Sequence, residues 1–163
     1  MYQNITLKEL MNQDLPSLTE QRRMSYIATV KEAKAIYRVL NREIFSDRLI
    51  IPKIHIKHRL KNIWGQCEPI ESPLRTGKSN CEITLAGKWF CRQWFIMTLA
   101  HEMCHQYEWD IISLRRIRQG IQPIMSHGPT FFRWRERLNK KGIPLRRCND
   151  HDKWFATQRL IDC

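Results

Sequence analysis

Residues 98–105 read TLAHEMCH, and this short stretch decides how the chain is expected to fold. It holds His101 and His105, two of the six histidines, with Glu102 directly after the first. On a helix, side chains at positions i and i+4 lie on one face, so both imidazoles can bind one metal ion. The neighbouring carboxylate then reaches a metal-bound water instead of the metal. This is the HExxH pattern of zinc peptidases, in which the glutamate is the general base.

The segment around this motif predicts a long, buried helix. Residues 88–109, KWFCRQWFIMTLAHEMCHQYEW, contain no glycine or proline, and their apolar side chains recur at helical spacing. The apolar run FIMTLA directly precedes the histidine pair, and partly buried histidines need polar partners. The sequence therefore predicts an HExxH motif on a central helix rather than two unrelated surface histidines.

A catalytic zinc site uses three protein ligands and keeps one position open, so a third ligand is expected downstream. The metzincin continuation HExxHxxGxxH is excluded, because positions 108 and 111 hold Glu and Ile. Glu136 lies between arginines in RWRERL and is typical of a solvated helix face. His127 is the better candidate, because it stands just before Gly128 and Pro129 at the start of a predicted helix. The alternative is an ordinary histidine in a surface loop.

The remaining pattern predicts an α+β domain in which helices pack on a small antiparallel sheet. The 163 residues suit a single domain over positions 1–163, with a core of about residues 20–152. Helical periodicity and strand-like alternation occur in separate segments. Helices are expected over residues 18–45, 88–109 and 128–142, short strands over residues 51–60, 64–68 and 81–87, and irregular structure over residues 110–127.

The charge balance points to a polyanionic partner. Lys and Arg number 28 and Asp and Glu number 16, which gives a net charge of +12 and a pI of about 9.8. Such a field attracts nucleic acid, and exposed aromatic rings could stack on unpaired bases. Nucleic acid is therefore the first partner to consider. The candidate nucleic-acid-binding residues are Lys57, Arg59, Lys61, Arg115, Arg116, Arg118, Arg133 and Arg137.

Several other protein classes do not fit the pattern. No stretch approaches the roughly 18 uncharged apolar residues of a membrane span, so no membrane association is expected. The six cysteines form no CxxC pair, which argues against a zinc ribbon, and the first residues, MYQNITLKEL, are too polar for a secretory signal. We therefore expect an intracellular monomer with free thiols, in the cytoplasm or at the nucleoid, or in the host cytoplasm if the source is viral.

Two motifs in this order resemble a known family. HEMCH at positions 101–105, followed by SHGPTFF at positions 126–132, is similar to the SprT-like metalloproteases, which include the Spartan DNA–protein crosslink proteases. WGQC at positions 64–67 and CEITLA at positions 81–86 resemble two strands of that family. The resemblance extends over most of the chain, so it is more specific than the HExxH motif alone.

The resemblance implies a zincin-like fold and a defined set of site residues. His101, His105 and His127 would bind one Zn²⁺, and Glu102 would be the catalytic base. The implied function is that of a zinc metalloendopeptidase acting on DNA-bound or DNA-crosslinked proteins. The partners implied are therefore a protein substrate and DNA, with single strands favoured. One departure is the spacing of 22 positions between the second and third histidine, which exceeds the spacing expected for the family.

Two other functions stay open at this stage. The first is a nucleic-acid-binding or virion-associated module with a structural zinc site, for which Cys148 or Asp150 could supply a fourth ligand. Glu102 argues against it, because a structural site needs no carboxylate beside its first ligand. The second is a metal-dependent nuclease, which ranks last because such sites favour clustered carboxylates and Mg²⁺.

Overall fold

The computed structural model describes residues 5–11, 26–58, 63–70 and 77–147 of the chain. Helices and short strands are mixed within these ranges, which confirms the predicted α+β class. The helices are α1 (Leu7–Met11), α2 (Val30–Glu43), α3 (Arg92–Tyr107), a π-helix (Glu108–Ser113), α4 (Leu114–Arg118), α5 (Pro129–Phe132) and α6 (Arg135–Asn139). The strands are β1 (Tyr26–Ile27), β2 (Lys53–Lys57), β3 (Gly65–Pro69), β4 (Cys81–Ala86) and β5 (Lys88–Trp89). Among these described helices, none has the length and apolar character needed to span a bilayer.

Helix α2 begins later than the apolar pattern predicts. The hydroxyl of Thr29 accepts a hydrogen bond from the backbone N–H of Glu32 at 3.2 Å, which satisfies a donor of the first turn. The predicted helix over residues 18–45 was therefore wrong at its start, because Tyr26–Ile27 forms strand β1 and pairs antiparallel with β5. Residues 12–25 lie outside the described ranges. From Ala33 onward the apolar stripe of α2 faces the core as predicted, whereas Val30 is exposed.

The strand order corrects the expected antiparallel sheet. The larger sheet has the order β2-β4-β3, so β4 lies in its centre. Ile83 of β4 is opposite Ile54 in a parallel pairing with β2 and opposite Cys67 in an antiparallel pairing with β3. The chain reverses direction from β2 to β3 and again from β3 to β4, but in the sheet β4 lies between β2 and β3. The sheet is therefore mixed, and β3 is left at an edge that contacts α3.

Helix α3 runs through the middle of the domain. Nearly all of its side chains are buried, including His101 and Glu102. A helix that is covered on every side needs apolar residues around its whole circumference, which explains why the sequence shows no polar face here. The predicted central helix is thus confirmed, although Lys88–Trp89 is strand β5 and the helix begins only at Arg92.

The segment after α3 is more regular than its composition predicts. The helical backbone continues through Glu108–Ser113 and α4 to Arg118, whereas the sequence predicts irregular structure over residues 110–127. The helix predicted over residues 128–142 is instead two short helices, α5 and α6, separated by a turn. The π-helix and α4 therefore account for much of the long spacing between the second and third histidine.

Glu43, at the end of α2, ties three parts of the fold together. Its carboxylate accepts hydrogen bonds from the backbone N–H of Leu7 and from Nζ of Lys141, each at 2.8 Å. Burial raises the pKa of Glu43, but Lys141 and Leu7 outweigh burial, and the pKa lies below its ordinary value. We expect Glu43→Gln to lower the free energy of unfolding by about 1–2 kcal/mol at neutral pH, because charge-assisted hydrogen bonds are lost.

The effect of Glu43→Gln should depend on pH. A carboxyl group whose pKa is lowered by folding stabilises the protein above its unfolded pKa, and this contribution disappears as the pH falls through the folded pKa. Urea unfolding of both proteins, at neutral pH and at a pH near 3.5, measures the difference. It should shrink in acid; a constant difference would show that the carboxylate charge is not its origin.

Candidate metal centre

Three histidines from two parts of the fold meet at one point. His101 and His105 lie one turn apart on α3, and His127 comes from the loop before α5. Nε2 of His127 lies 3.1 Å from Nε2 of His101 and 3.1 Å from Nε2 of His105. Ligand atoms of all three residues fall within 4.8 Å of one another. The structure thus brings together the three residues that the sequence predicts as metal ligands.

A single aromatic ring supports all three imidazoles. The ring centroid of Phe131 lies 4.8 Å from that of His101, 4.6 Å from that of His105 and 4.8 Å from that of His127. Phe131 is fully buried in α5, a helix that begins at Pro129. The HGPTFF segment therefore places its histidine just outside a helix and its aromatic ring inside the cluster, so that packing orients the imidazoles.

The geometry suits a metal ion better than it suits hydrogen bonds. Zinc–nitrogen bonds of about 2.0–2.1 Å at tetrahedral angles separate ligand nitrogens by about 3.3 Å. The observed distances of 3.1 Å are close to this value. An imidazole nitrogen carries either one hydrogen or one lone pair, so Nε2 of His127 cannot make two good hydrogen bonds at once. A central cation would satisfy all three lone pairs, so the donor set fits a metal ion.

Burial keeps His101 and His127 in the neutral form that metal binding requires. Burial, reinforced by His105 and His127, lowers the pKa of His101 to about 3. Burial also lowers the pKa of His127, and the charges of His105 and Arg147 add to this effect. Nitrogen lone pairs are therefore free to bind a metal at neutral pH.

Glu102 follows the first histidine on α3 and points its carboxylate into a buried position. Burial raises the pKa of Glu102 to about 8, and a hydrogen bond with the backbone of Cys67 acts in the opposite direction. A carboxyl group whose pKa lies near neutrality can both accept and release a proton at physiological pH. Glu102 thus has the properties of a proton carrier in addition to its position beside the histidine cluster.

The close approach of β3 to Glu102 requires a glycine. A Cβ atom at Gly65 would lie 2.9 Å from Oε1 of Glu102 and 2.8 Å from Cγ2 of Thr98. Both distances are shorter than van der Waals contact, so a larger residue would displace the carboxylate or the strand. The WGQC segment, which contains Gly65, therefore provides the space in which the carboxylate of Glu102 lies.

Glu108 was not predicted as a functional residue from the sequence. Its side chain is fully buried, and its Oε2 lies 3.5 Å from Nδ1 of His105. The same oxygen accepts a hydrogen bond from the backbone N–H of Ser126 at 3.2 Å. The signal that could have identified it is its i, i+3 spacing from His105, which places both side chains on one helix face.

The other residues considered as metal ligands do not join the histidine cluster or lie outside the described residues. Glu136 is exposed on α6, where it forms an ion pair with Lys140 at 2.6 Å and takes no part in the histidine cluster. Its rejection as third ligand therefore agrees with the structure. Cys148 and Asp150, the candidates for a fourth protein ligand, lie outside the described residues.

The candidate nucleic-acid-binding residues do not come from one element. Those within the described ranges lie on β2, on α4 and along α5–α6: Lys57; Arg115, Arg116 and Arg118; Arg133 and Arg137. Arg116 is half-buried and its Nε donates to the carbonyl oxygen of Gln122 at 2.7 Å, whereas the other five are exposed. Arg59 and Lys61 lie outside the described residues.

A three-histidine cluster with a buried carboxylate, built on the central helix of an α+β domain, defines a metallopeptidase-like class of protein. The comparison with family models agrees: the model of the SprT-like family matches residues 33–153. This match covers most of the chain, and the chain belongs to the SprT-like family. A search of curated proteins found no matching relative.

Proposed function

We propose that this protein is a zinc-dependent metalloendopeptidase that cleaves proteins bound or crosslinked to DNA. The observation that carries the proposal is the convergence of three histidine Nε2 atoms next to the buried carboxyl group of Glu102. Membership of the SprT-like family supports the peptidase class. The substrate class rests on the family resemblance together with the net charge of +12.

Each site residue has a defined role in this proposal. His101, His105 and His127 hold one Zn²⁺ through their Nε2 atoms. A Zn²⁺ ion bound there would supply Lewis-acid chemistry, lowering the pKa of a water molecule and polarising the scissile carbonyl. Glu102 accepts the proton of the attacking water at its carboxylate and later gives it to the nitrogen of the leaving amine. The raised pKa of Glu102 suits this double role, because the proton must be taken up and returned in each turnover.

The DNA part of the proposal rests on exposed arginines that are held in place. The guanidinium of Arg133 lies 5.4 Å from the ring centroid of Tyr107 and 5.5 Å from that of Trp134, which is a cation–π arrangement. Nη1 of Arg137 donates to Oγ of Ser46 at 3.0 Å. Exposed cations that are already ordered lose little side-chain entropy on meeting phosphates, which favours binding to DNA. The preference for single strands rests on the family resemblance.

Metal removal and DNA addition test this proposal together. The protein is stripped with a chelator, divided, and restored with Zn²⁺ or left without metal. Both samples are incubated with a DNA-binding protein, alone, with single-stranded DNA and with duplex DNA. We expect about one zinc per chain after restoration, and cleavage only in the restored sample with DNA present, strongest with single strands.

Three other outcomes of this experiment would revise the proposal in different ways. Zinc binding without cleavage under any DNA condition would favour a nucleic-acid-binding module with a structural metal site. Zinc-dependent cleavage at the same rate with and without DNA would support the peptidase activity. It would contradict the proposal that the substrates are bound or crosslinked to DNA. Failure of the stripped protein to take up zinc would overturn the metal centre itself.

Gly65→Ala should impair proteolysis without removing the metal. The added Cβ would lie 2.8 Å from Cγ2 of Thr98 and 2.9 Å from Oε1 of Glu102, so strand β3 or the carboxylate must shift, and either shift changes the position of Glu102 relative to β3. Misplacing a catalytic group by about 1 Å costs on the order of 100-fold in rate, and we expect a 10–100-fold loss. Proteolysis rates and zinc content of the variant and the wild type provide the measurement.

Gly87→Ala is the matched control for this substitution. A Cβ at Gly87 would meet its nearest neighbours, Nδ1 and Cα of His58 and Cγ2 of Ile56, at 3.4–3.5 Å, which is ordinary contact. This control should cleave at close to the wild-type rate. Equal rates for Gly65→Ala and the wild type would mean that the carboxylate does not depend on the glycine in β3.

A further inference from the structure

Glu108 occupies a position that the proposed reaction does not explain. It is the first residue of the π-helix, directly after α3, and its carboxylate is fully buried. Burying a carboxylate is costly unless another group compensates it. Its Oε2 lies 3.5 Å from Nδ1 of His105, on the side of the ring opposite the Nε2 that faces His127. The carboxylate therefore stands behind one of the three converging imidazoles.

The same carboxylate also reaches the segment that carries the third histidine. Oε2 of Glu108 accepts a hydrogen bond from the backbone N–H of Ser126, the residue just before His127. Two residues earlier, the backbone N–H of Ile124 donates to Oγ of Ser113 at 2.8 Å, and that hydroxyl donates back to the carbonyl oxygen of Ile124. The loop that brings in the third histidine is thus fastened to the π-helix at two points.

The distance between Oε2 of Glu108 and Nδ1 of His105 could shorten to that of a hydrogen bond. Within the described residues, neither Nδ1 of His105 nor Oε1 of Glu108 has a hydrogen-bond partner. At 3.5 Å the pair has the spacing of an ion pair, slightly longer than a hydrogen bond. A carboxylate that accepts the Nδ1 hydrogen fixes the tautomer in which Nε2 carries the lone pair, and it raises the basicity of that nitrogen. A metal bound at Nε2 would make the Nδ1 hydrogen a better donor in return.

We propose that Glu108 is a positioning residue of the metal centre, which orients His105 through Nδ1 and holds the His127 loop through Ser126. This inference rests on the proposed metal-binding function of the three histidines. It also assigns a structural role to the long connection between the second and third histidine: Glu108, near its start, links the two ligands that this connection separates.

Glu108→Gln tests the inference, because it removes the charge and keeps the size of the side chain. Zn²⁺ dissociation constants are measured by competition with a chelator, and Co²⁺ absorption spectra report the ligand field. A carboxylate that hydrogen-bonds to a metal-binding histidine typically contributes 10–100-fold to metal affinity, and we expect about 10-fold weaker binding with a shifted Co²⁺ spectrum. Glu136→Gln is the matched control, because Glu136 is exposed and pairs only with Lys140 among the contacts described. It should bind Zn²⁺ like the wild type.

The possible outcomes separate this inference from the proposed function. Equal Zn²⁺ affinity and an unchanged Co²⁺ spectrum in Glu108→Gln, beside a wild type that binds metal, would overturn the positioning role alone. A wild type that binds no metal would overturn both proposals. A change in thermal stability without a change in affinity would assign Glu108 to folding only. If Glu108→Gln does not fold, Glu108→Asp replaces it, since it keeps the charge but withdraws the carboxylate from Nδ1, and the same weakening is expected.

Discussion

Glu102→Gln is expected to keep its metal and to lose proteolytic activity by about 100- to 10,000-fold. The amide has nearly the same shape as the carboxylate, but it cannot accept a proton from an attacking water. It also cannot return that proton to the leaving amine, so both halves of the reaction are affected. Metal affinity should change little, because the converging Nε2 atoms belong to the histidines and not to position 102.

The same substitution should not destabilise the metal-free protein. Burial raises the pKa of Glu102 to about 8, so folding disfavours its ionised form at any pH above its ordinary pKa. A neutral glutamine removes that penalty, and the melting temperature should stay equal or rise. Zinc content, initial cleavage rates and melting curves, with Glu136→Gln as the control, provide the measurements. A glutamine variant that cleaves at the wild-type rate would refute the role of general base.

His127→Ala is the second prediction with a large effect. Structural sites with four protein ligands bind zinc with about 10–16 kcal/mol, so each ligand contributes roughly 3 kcal/mol, or about 100- to 1,000-fold in affinity. His127 enters from a loop and is only partly buried, so its removal should leave the fold intact. We therefore expect a folded protein that binds Zn²⁺ at least 100-fold more weakly and shows little proteolysis at limiting zinc.

The matched control for this prediction is His55→Ala. His55 lies on β2 and contacts Glu82 at 2.9 Å, outside the histidine cluster. Chelator competition should give this control the wild-type affinity, and circular dichroism should show both variants folded. If His127→Ala keeps the wild-type affinity, the third ligand comes from elsewhere in the chain and the proposed site must be redrawn.

Much of the candidate site could be predicted because it depends on short-range geometry. The i, i+4 spacing of His101 and His105 places two imidazoles on one helix face wherever that helix packs. The proline after His127 starts a helix, so HGPTFF predicts a histidine at a helix entrance. Likewise, the continuous apolar run around the motif predicts burial of α3, and the structure confirms it.

The helix boundaries were harder to predict, for a physical reason. Tyr26 and Ile27 continue the apolar spacing of α2, but their backbone pairs with β5 and the cap at Thr29 starts the helix later. Similarly, the apolar and basic residues after α3 carry no strong stop signal. The helical backbone therefore runs on through the π-helix instead of ending. Local propensity is a weak preference that tertiary contacts override.

The sequence by itself determined the fold class, the histidine pair with its adjacent glutamate, and the candidate third histidine. Only the tertiary structure decided the insertion of β4 between β2 and β3 and the position of the Glu102 carboxylate beside Gly65. It also decided the contacts of Glu108 with His105 and with the His127 loop. The first group follows from spacing and periodicity within single segments, because local backbone geometry places residues at fixed spacings on one face of a helix or strand. The second group joins segments far apart in the chain, and their contacts exist only once the whole core has packed.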